Sequence, residues 1–185
     1  MTATLSADQI TGEYSIDPSH SRIGFAARHA MIAKVRGGFN EFEGTGHFDF
    51  ENPSQSSLQL TIKVDSIDTR SADRDNHLRT NDFFDIATYP EIKFVSTGVE
   101  KVDDETFRVT GDLTVKDVTK SLTFDLEYMG AEVDPFQNQR VGLEGSVVVN
   151  RKDFGLTWNA MLESGGVLVG EKVTLEFEVS AVKAQ

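Results

Sequence analysis

Apolar and polar residues alternate with a period of two along most of the chain. Leu58, Leu60, Ile62 and Val64 are interleaved with Gln59, Thr61 and Lys63. Phe107, Val109, Leu113 and Val115 repeat the pattern, with Gly111 in the series, and Leu122, Phe124, Leu126 and Tyr128 follow. Near the end, Val173, Leu175, Phe177, Val179 and Ala181 alternate with Thr174, Glu176, Glu178 and Ser180. Successive strand side chains point to opposite faces, so each run predicts a strand with one apolar face. Weaker runs centre on Ile23, Phe25 and Ala27, on Phe39 to Phe50, on Ile92 and Phe94, and on Val141, Leu143, Val147 and Val149. Together they predict about eight strands joined by polar turns such as Asp103-Asp104-Glu105 and Lys116-Asp117. Such a series closes into a barrel or folds as a two-sheet sandwich. Most connections are too short for the helices that a parallel sheet requires.

Two segments interrupt the alternation. Between Ser71 and Tyr89, Ser71 is placed to cap a short helix with Asp73 in its first turn, and Asp82 to cap a second carrying Phe83 and Phe84, before Pro90. Lys152 to Gly170 holds Phe154, Trp158, Met161 and Leu162 between glycines. Excursions of this kind cover a barrel mouth. Residues 1–11 lack periodicity and are expected to be a flexible tail preceding a single domain over 12–185.

Composition narrows the function more than the fold. The net charge of −12 repels phosphate backbones, so no nucleic-acid partner is expected. No apolar run is long enough to span a bilayer as a helix, and stable membrane insertion is not expected. The start, Met1-Thr2-Ala3-Thr4-Leu5, has neither a basic nor an apolar signal region, which leads to the expectation of a cytoplasmic location. The absence of cysteine excludes disulfides, thiolate metal sites and a thiol nucleophile. The thirteen phenylalanines belong either in a core or against an apolar ligand, and periodicity alone leaves that choice open.

Candidate chemistry is sparse. His20, His29, His47 and His77 have no close pairing at ligand spacing, so no metal and no cofactor are expected. Ser19-His20-Ser21 is adjacency in sequence, whereas a nucleophilic triad is a spatial arrangement. The densest charged cluster is Asp73, Arg74, Asp75, His77, Arg79, Asp82 and Asp85. Its spacing favours a braced pair of short helices, and Arg74 and Arg79 are its candidates for meeting an anionic head group.

The ordered motifs resemble the YceI-like, polyisoprenoid-binding family over about residues 14 to 182. They run from Tyr14-x-x-Asp17-x-x-His20-Ser21-x-Ile23-x-Phe25 and His29 to Gly38-Phe39-x-x-Phe42-x-Gly44. Next comes the most specific stretch, Ile67-x-Thr69, Arg74-Asp75-x-His77-Leu78-Arg79, Asp82-Phe83-Phe84-Asp85 and Tyr89-Pro90-x-Ile92-x-Phe94. Gly111-x-Leu113-Thr114, Val118-Thr119-Lys120 and Arg151-x-Asp153-Phe154-Gly155 complete the set. The resemblance implies an all-β fold: an extended lipocalin-like antiparallel eight-stranded β-barrel with short helices covering one end. It implies an internal tunnel for a long isoprenoid, quinone or polyprenyl phosphate, or a similar amphiphilic lipid, and a non-enzymatic role in its storage or transport. Family members are described as dimers, which makes a homodimer an expectation, and often as secreted or periplasmic stress- or base-induced proteins.

Phe25, Phe39, Phe42, Leu60, Ile62, Phe83, Phe84, Phe94, Leu113, Phe154 and Trp158 are the expected ligand contacts. His20, Arg74, Asp75, His77 and Arg79 are the candidates for a head-group or gate position, and no residue is assigned a catalytic role. The competing readings are an enzyme acting on an isoprenoid head group and a barrel filled by its own side chains.

Overall fold

The computed structural model of the chain describes residues 4–164 and 166–185. Eleven strand segments make one antiparallel sheet. They are β1 (Gly12–Ile16), β2 (Arg22–His29), β3 (Ala33–Phe39), β4 (Phe42–Phe48), β5 (Ser57–Lys63) and β6 (Ile67–Asp68). The longer strands β7 (Glu91–Asp103), β8 (Thr106–Val115), β9 (Val118–Val133), β10 (Gln139–Asn150) and β11 (Val169–Lys183) follow.

The eleven segments are eight strands. β1 and β2 are halves of one strand, as are β3 and β4, and β5 and β6. Pro18, which has no N–H for the ladder, breaks the first pair, where the Asp17 carboxylate accepts from the Ser19 N–H at 3.0 Å. A turn at Val64–Ser66 breaks the third. The breaks align, because Phe39 pairs with Ile23 and Ile67 while Phe42 pairs with Ile62. Each strand then pairs with its neighbour in sequence. The sheet closes where β11 pairs with both β1 and β2. The expected eight-stranded barrel is therefore the observed one, and closure leaves the ladder with few free edges.

The tight connections are the predicted ones. Asp103 accepts from the Glu105 N–H at 2.9 Å in the β7–β8 turn, and Lys116 turns β8 into β9 with φ of 56°. The hairpins at residues 49–56, 104–105 and 134–138 lie at one end of the barrel, with both chain termini. The two excursions, residues 69–90 and 151–168, lie together at the other.

Two expectations need correction. Ser71 does cap a helix, α2 (Ala72–Arg79), its Oγ accepting from the Arg74 N–H at 3.3 Å, but Asp82 starts no second helix. Residues 81–89 form successive turns, and the Asp82 carboxylate is held instead by the His77 Nε2 at 2.8 Å. The stretch expected as a flexible tail is tied to the barrel from Leu5 onward, while residues 1–3 lie outside the described residues. Ala7–Ile10 is a short helix with a Ser6–Gln9 capping box, and Ile10 is buried with Tyr14, Val141 and Ala181. Polar ties reinforce it, since Gln139 and Lys183 both donate to the Gln9 carbonyl, at 2.9 and 2.6 Å. A single helical turn of four residues, with Ile10 its one buried side chain, is too short for periodicity to reveal. No described helix is long and apolar enough to cross a membrane.

Candidate binding cavity

The inward faces of the strands enclose a cavity of about 320 Å³, within the range of small-ligand sites. Its walls are almost wholly apolar. Aromatic rings line it in contacting runs, Phe94 on Phe124 on Phe177 at 5.5 and 5.3 Å, and Phe25 on Phe39 at 5.6 Å. Gly111 stands at an inward position of β8 because the Phe94 ring lies over it, and a Cβ there would overlap that ring. Exposed Thr45, Ser57 and Gln59, near the β4–β5 hairpin, also border the cavity.

Nine of the eleven expected contact residues line this space: Phe25, Phe39, Leu60, Ile62, Phe83, Phe84, Phe94, Leu113 and Phe154. Phe42 and Trp158 do not. Phe42 is buried in the apolar cluster beside the β3–β4 break, paired with Ile62, and does not border the cavity. Trp158 lies behind Phe83, 5.3 Å between ring centroids, and edge-on to His77 at 4.6 Å, where it joins the two excursions to each other. The alternation also marked Phe107, Phe124, Leu175 and Phe177, which line the cavity as well.

None of the five polar candidates borders the cavity. His20 is exposed and held by Asp17 at 2.8 Å. Around α2 the charges brace the fold, though not by the ion pairs within the helix that their spacing favours. Asp75 is buried and accepts from both the N–H and the hydroxyl of buried Thr69, at 2.9 and 2.5 Å. Arg74 donates to the Thr69 carbonyl at 2.6 Å. Arg79 donates to the carbonyls of Asp65 and Ile67, at 2.9 and 3.2 Å. The sequence cluster therefore ties α2 to β6. The remaining histidine partner, Glu13 at 2.8 Å from His47, sits elsewhere, and no three metal-ligating side chains converge among the described residues.

The titratable side chains at the cavity are Tyr14, His47 and Arg151. Burial pushes the Tyr14 phenol up from its ordinary value, and its hydroxyl donates to the Ile10 carbonyl at 2.6 Å. Arg151 is the residue that the sequence reading passed over as a site. It begins the turn Arg151–Phe154, is 5% exposed, and stands at the end covered by α2. A signal for it existed. Arg151 continues the odd-numbered inward phase of Val147 and Val149, so a cation at that position points into the barrel.

Charge on the outside is organised separately. Arg140 bridges Asp17 at 2.7 Å and Asp134 at 2.8 Å. The Arg140 guanidinium, with the N–H groups of Asn138 and Phe136, holds the Asp134 carboxyl down to about 2.

The YceI-like domain family matches residues 14–181 of the chain. The chain belongs to this family. A relative from Photorhabdus laumondii, UPF0312 protein plu2095, is 42% identical over 147 residues, covering 78% of this chain and 76% of the relative. BcnA of Burkholderia cenocepacia has the same fold, with a TM-score of 0.79 at 23% identity over 89% of this chain and 98% of its own. A domain from Saccharophagus degradans, described as a polyisoprenoid binding domain implicated in plant cell wall breakdown, matches with a TM-score of 0.70 at 16% identity. That match covers 92% of this chain and 98% of the domain. At these identities the two structures speak for the fold.

Proposed function

We propose that this protein binds a long-chain isoprenoid, or an amphiphile like it, inside the barrel, and that it stores or carries the lipid without transforming it. The observation that carries this reading is the apolar cavity itself, lined by aromatic and aliphatic side chains from strands all round the barrel. Each buried methylene contributes about 0.8 kcal/mol, so a five-carbon prenyl unit gains about 4 kcal/mol before ordering costs. A chain of several units binds tightly with no chemistry at all. The Saccharophagus degradans domain, described as polyisoprenoid binding, shares the fold and lends the ligand class. Against the enzyme reading, no aspartate, glutamate or lysine borders the cavity among the described residues; Tyr14 is engaged by the Ile10 carbonyl, and His47 is paired at 2.8 Å with Glu13, which is exposed on the outer surface. That arrangement favours binding over head-group chemistry, which needs an acid and a base positioned at the reacting group.

Organic extraction of the purified protein, with mass spectrometry of the extract, tests the proposal. A stoichiometric prenyl lipid is the expected result. No lipid in the extract, together with no uptake of added polyprenol or ubiquinone, would leave the filled-barrel reading in its place.

A further inference from the structure

We propose that Arg151 is a head-group site, and that the lipid it serves ends in a single carboxylate. The inference rests on the lipid-binding reading and adds the chemistry of the ligand's end. Arg151 borders the cavity at 5% exposure, and the contacts of its guanidinium among the described residues are backbone carbonyls. Its Nε donates to Gly170 O at 2.9 Å, one terminal nitrogen to Leu156 O, and the other to Val169 O at 3.2 Å. A guanidinium has five N–H donors and keeps its charge in proteins, so two donors and the full positive charge remain. The nearest acidic influence is Glu171, whose carboxylate is held by Lys152 at 2.7 Å on the outer surface. A buried charge without a counter-ion is unfavourable, and an incoming anion relieves it.

Position and charge together define the anion. Asn150, next to Arg151, pairs with Lys172 of β11, whereas Ile16, at the other end, pairs with Ala181. The nine residue steps from Lys172 to Ala181 span roughly 30 Å of strand at about 3.3 Å each. With a strand tilt of 35–45° that is roughly 21–25 Å along the barrel. A lipid entering beside the β4–β5 hairpin therefore reaches Arg151 with its leading end, and its tail lies back toward solvent. One guanidinium neutralises one negative charge, and its planar fork matches a carboxylate. A diphosphate would bring more charge than Arg151 offsets into walls that are otherwise apolar at this end. The basic residues of α2 do not help, because Arg74 and Arg79 are spent on carbonyls outside the cavity.

The test compares geranylgeranoic acid, geranylgeraniol and geranylgeranyl diphosphate, which share one prenyl chain, on the full-length protein at neutral pH by calorimetric titration. The acid is expected to bind about ten- to a hundredfold more tightly than the alcohol, the range of a charge-assisted hydrogen-bonded contact. Arg151→Met should erase the preference for acid over alcohol, read as the ratio of the two affinities in the same variant, and Arg151→Lys should keep part of it. Equal affinity for acid and alcohol in the unmodified protein would overturn the head-group site while leaving lipid binding standing, even if neither variant folds. Tighter binding of the diphosphate than of the acid would overturn the single-charge assignment. Binding of none of the three would remove the lipid-binding reading itself.

Discussion

Replacing Leu60 by tryptophan separates a hollow barrel from a packed one. Leu60 stands mid-wall on β5, paired with Gly44 on one side and Phe94 on the other, and it faces the cavity. In a close-packed core, added bulk costs about 1–3 kcal/mol or more. Here the indole would extend into about 320 Å³ of cavity, so the expected cost is below about 1 kcal/mol. In a domain of this size that lowers Tm by no more than about 2–4 °C. The effect on binding should be far larger. If the indole displaces one prenyl unit, up to about 4 kcal/mol of burial is lost, which is about a thousandfold at 1.4 kcal/mol per decade. A chain that shifts toward solvent recovers part of it, so the expected loss is between about tenfold and a thousandfold. Titration with polyprenols of graded length reads this directly, and the longest should suffer most. Lys63→Trp, on the outward face of the same strand, should bind normally. A Leu60→Trp protein that melts many degrees lower, or that binds every polyprenol as the parent does, would refute the reasoning.

Three further outcomes follow from the geometry. Asp134 has a folded-state value of about 2 against an ordinary 3.8, so the stability it contributes is present above about pH 4 and is lost as pH falls toward 2. Asp134→Asn should therefore lower Tm at neutral pH and flatten its decline between pH 4 and 2, and parallel curves for the two proteins would contradict this. Ile10→Ala should cost about 2–4 kcal/mol by thermal melting, because Ile10 is packed with Tyr14, Val141 and Ala181, whereas a truly flexible tail would cost nothing. Asp75→Ala should cost about 1–3 kcal/mol by leaving buried Thr69 without its acceptor, with polyprenol chain-length preference unchanged; altered preference at constant Tm would put Asp75 in the binding site instead.

Much of the architecture was legible in the chain. A period of two is a local signal, readable wherever one face of a strand is apolar, and it located the strands, their inward residues and the eight-strand count. It also phased the cavity wall correctly at Leu60, Ile62, Leu113 and Phe94. The Ser71 cap and the Lys116 turn are local too, and both could be read directly. Short interruptions were harder. The breaks at Pro18 and at Val64–Ser66 split strands without disturbing the count, since the register resumes in the same sheet.

What the sequence left open depends on distances between residues far apart in the chain. The same alternation describes a packed interior and a hollow one, because the space inside is set by closure of β11 onto β1 and β2. The charged cluster at residues 73–85 reads as pairs within helices, yet its partners are Thr69, Asp65 and Ile67. Trp158 and Phe42 carry the same apolar label as Phe154, and only packing decides that neither borders the cavity. Arg151 is the clearest case. Its inward phase was written in the alternation of β10, but its burial against the carbonyls of Gly170, Leu156 and Val169 appears only when the β10–β11 excursion folds back over it. Local periodicity determines which way a side chain points, and tertiary closure determines what it then meets.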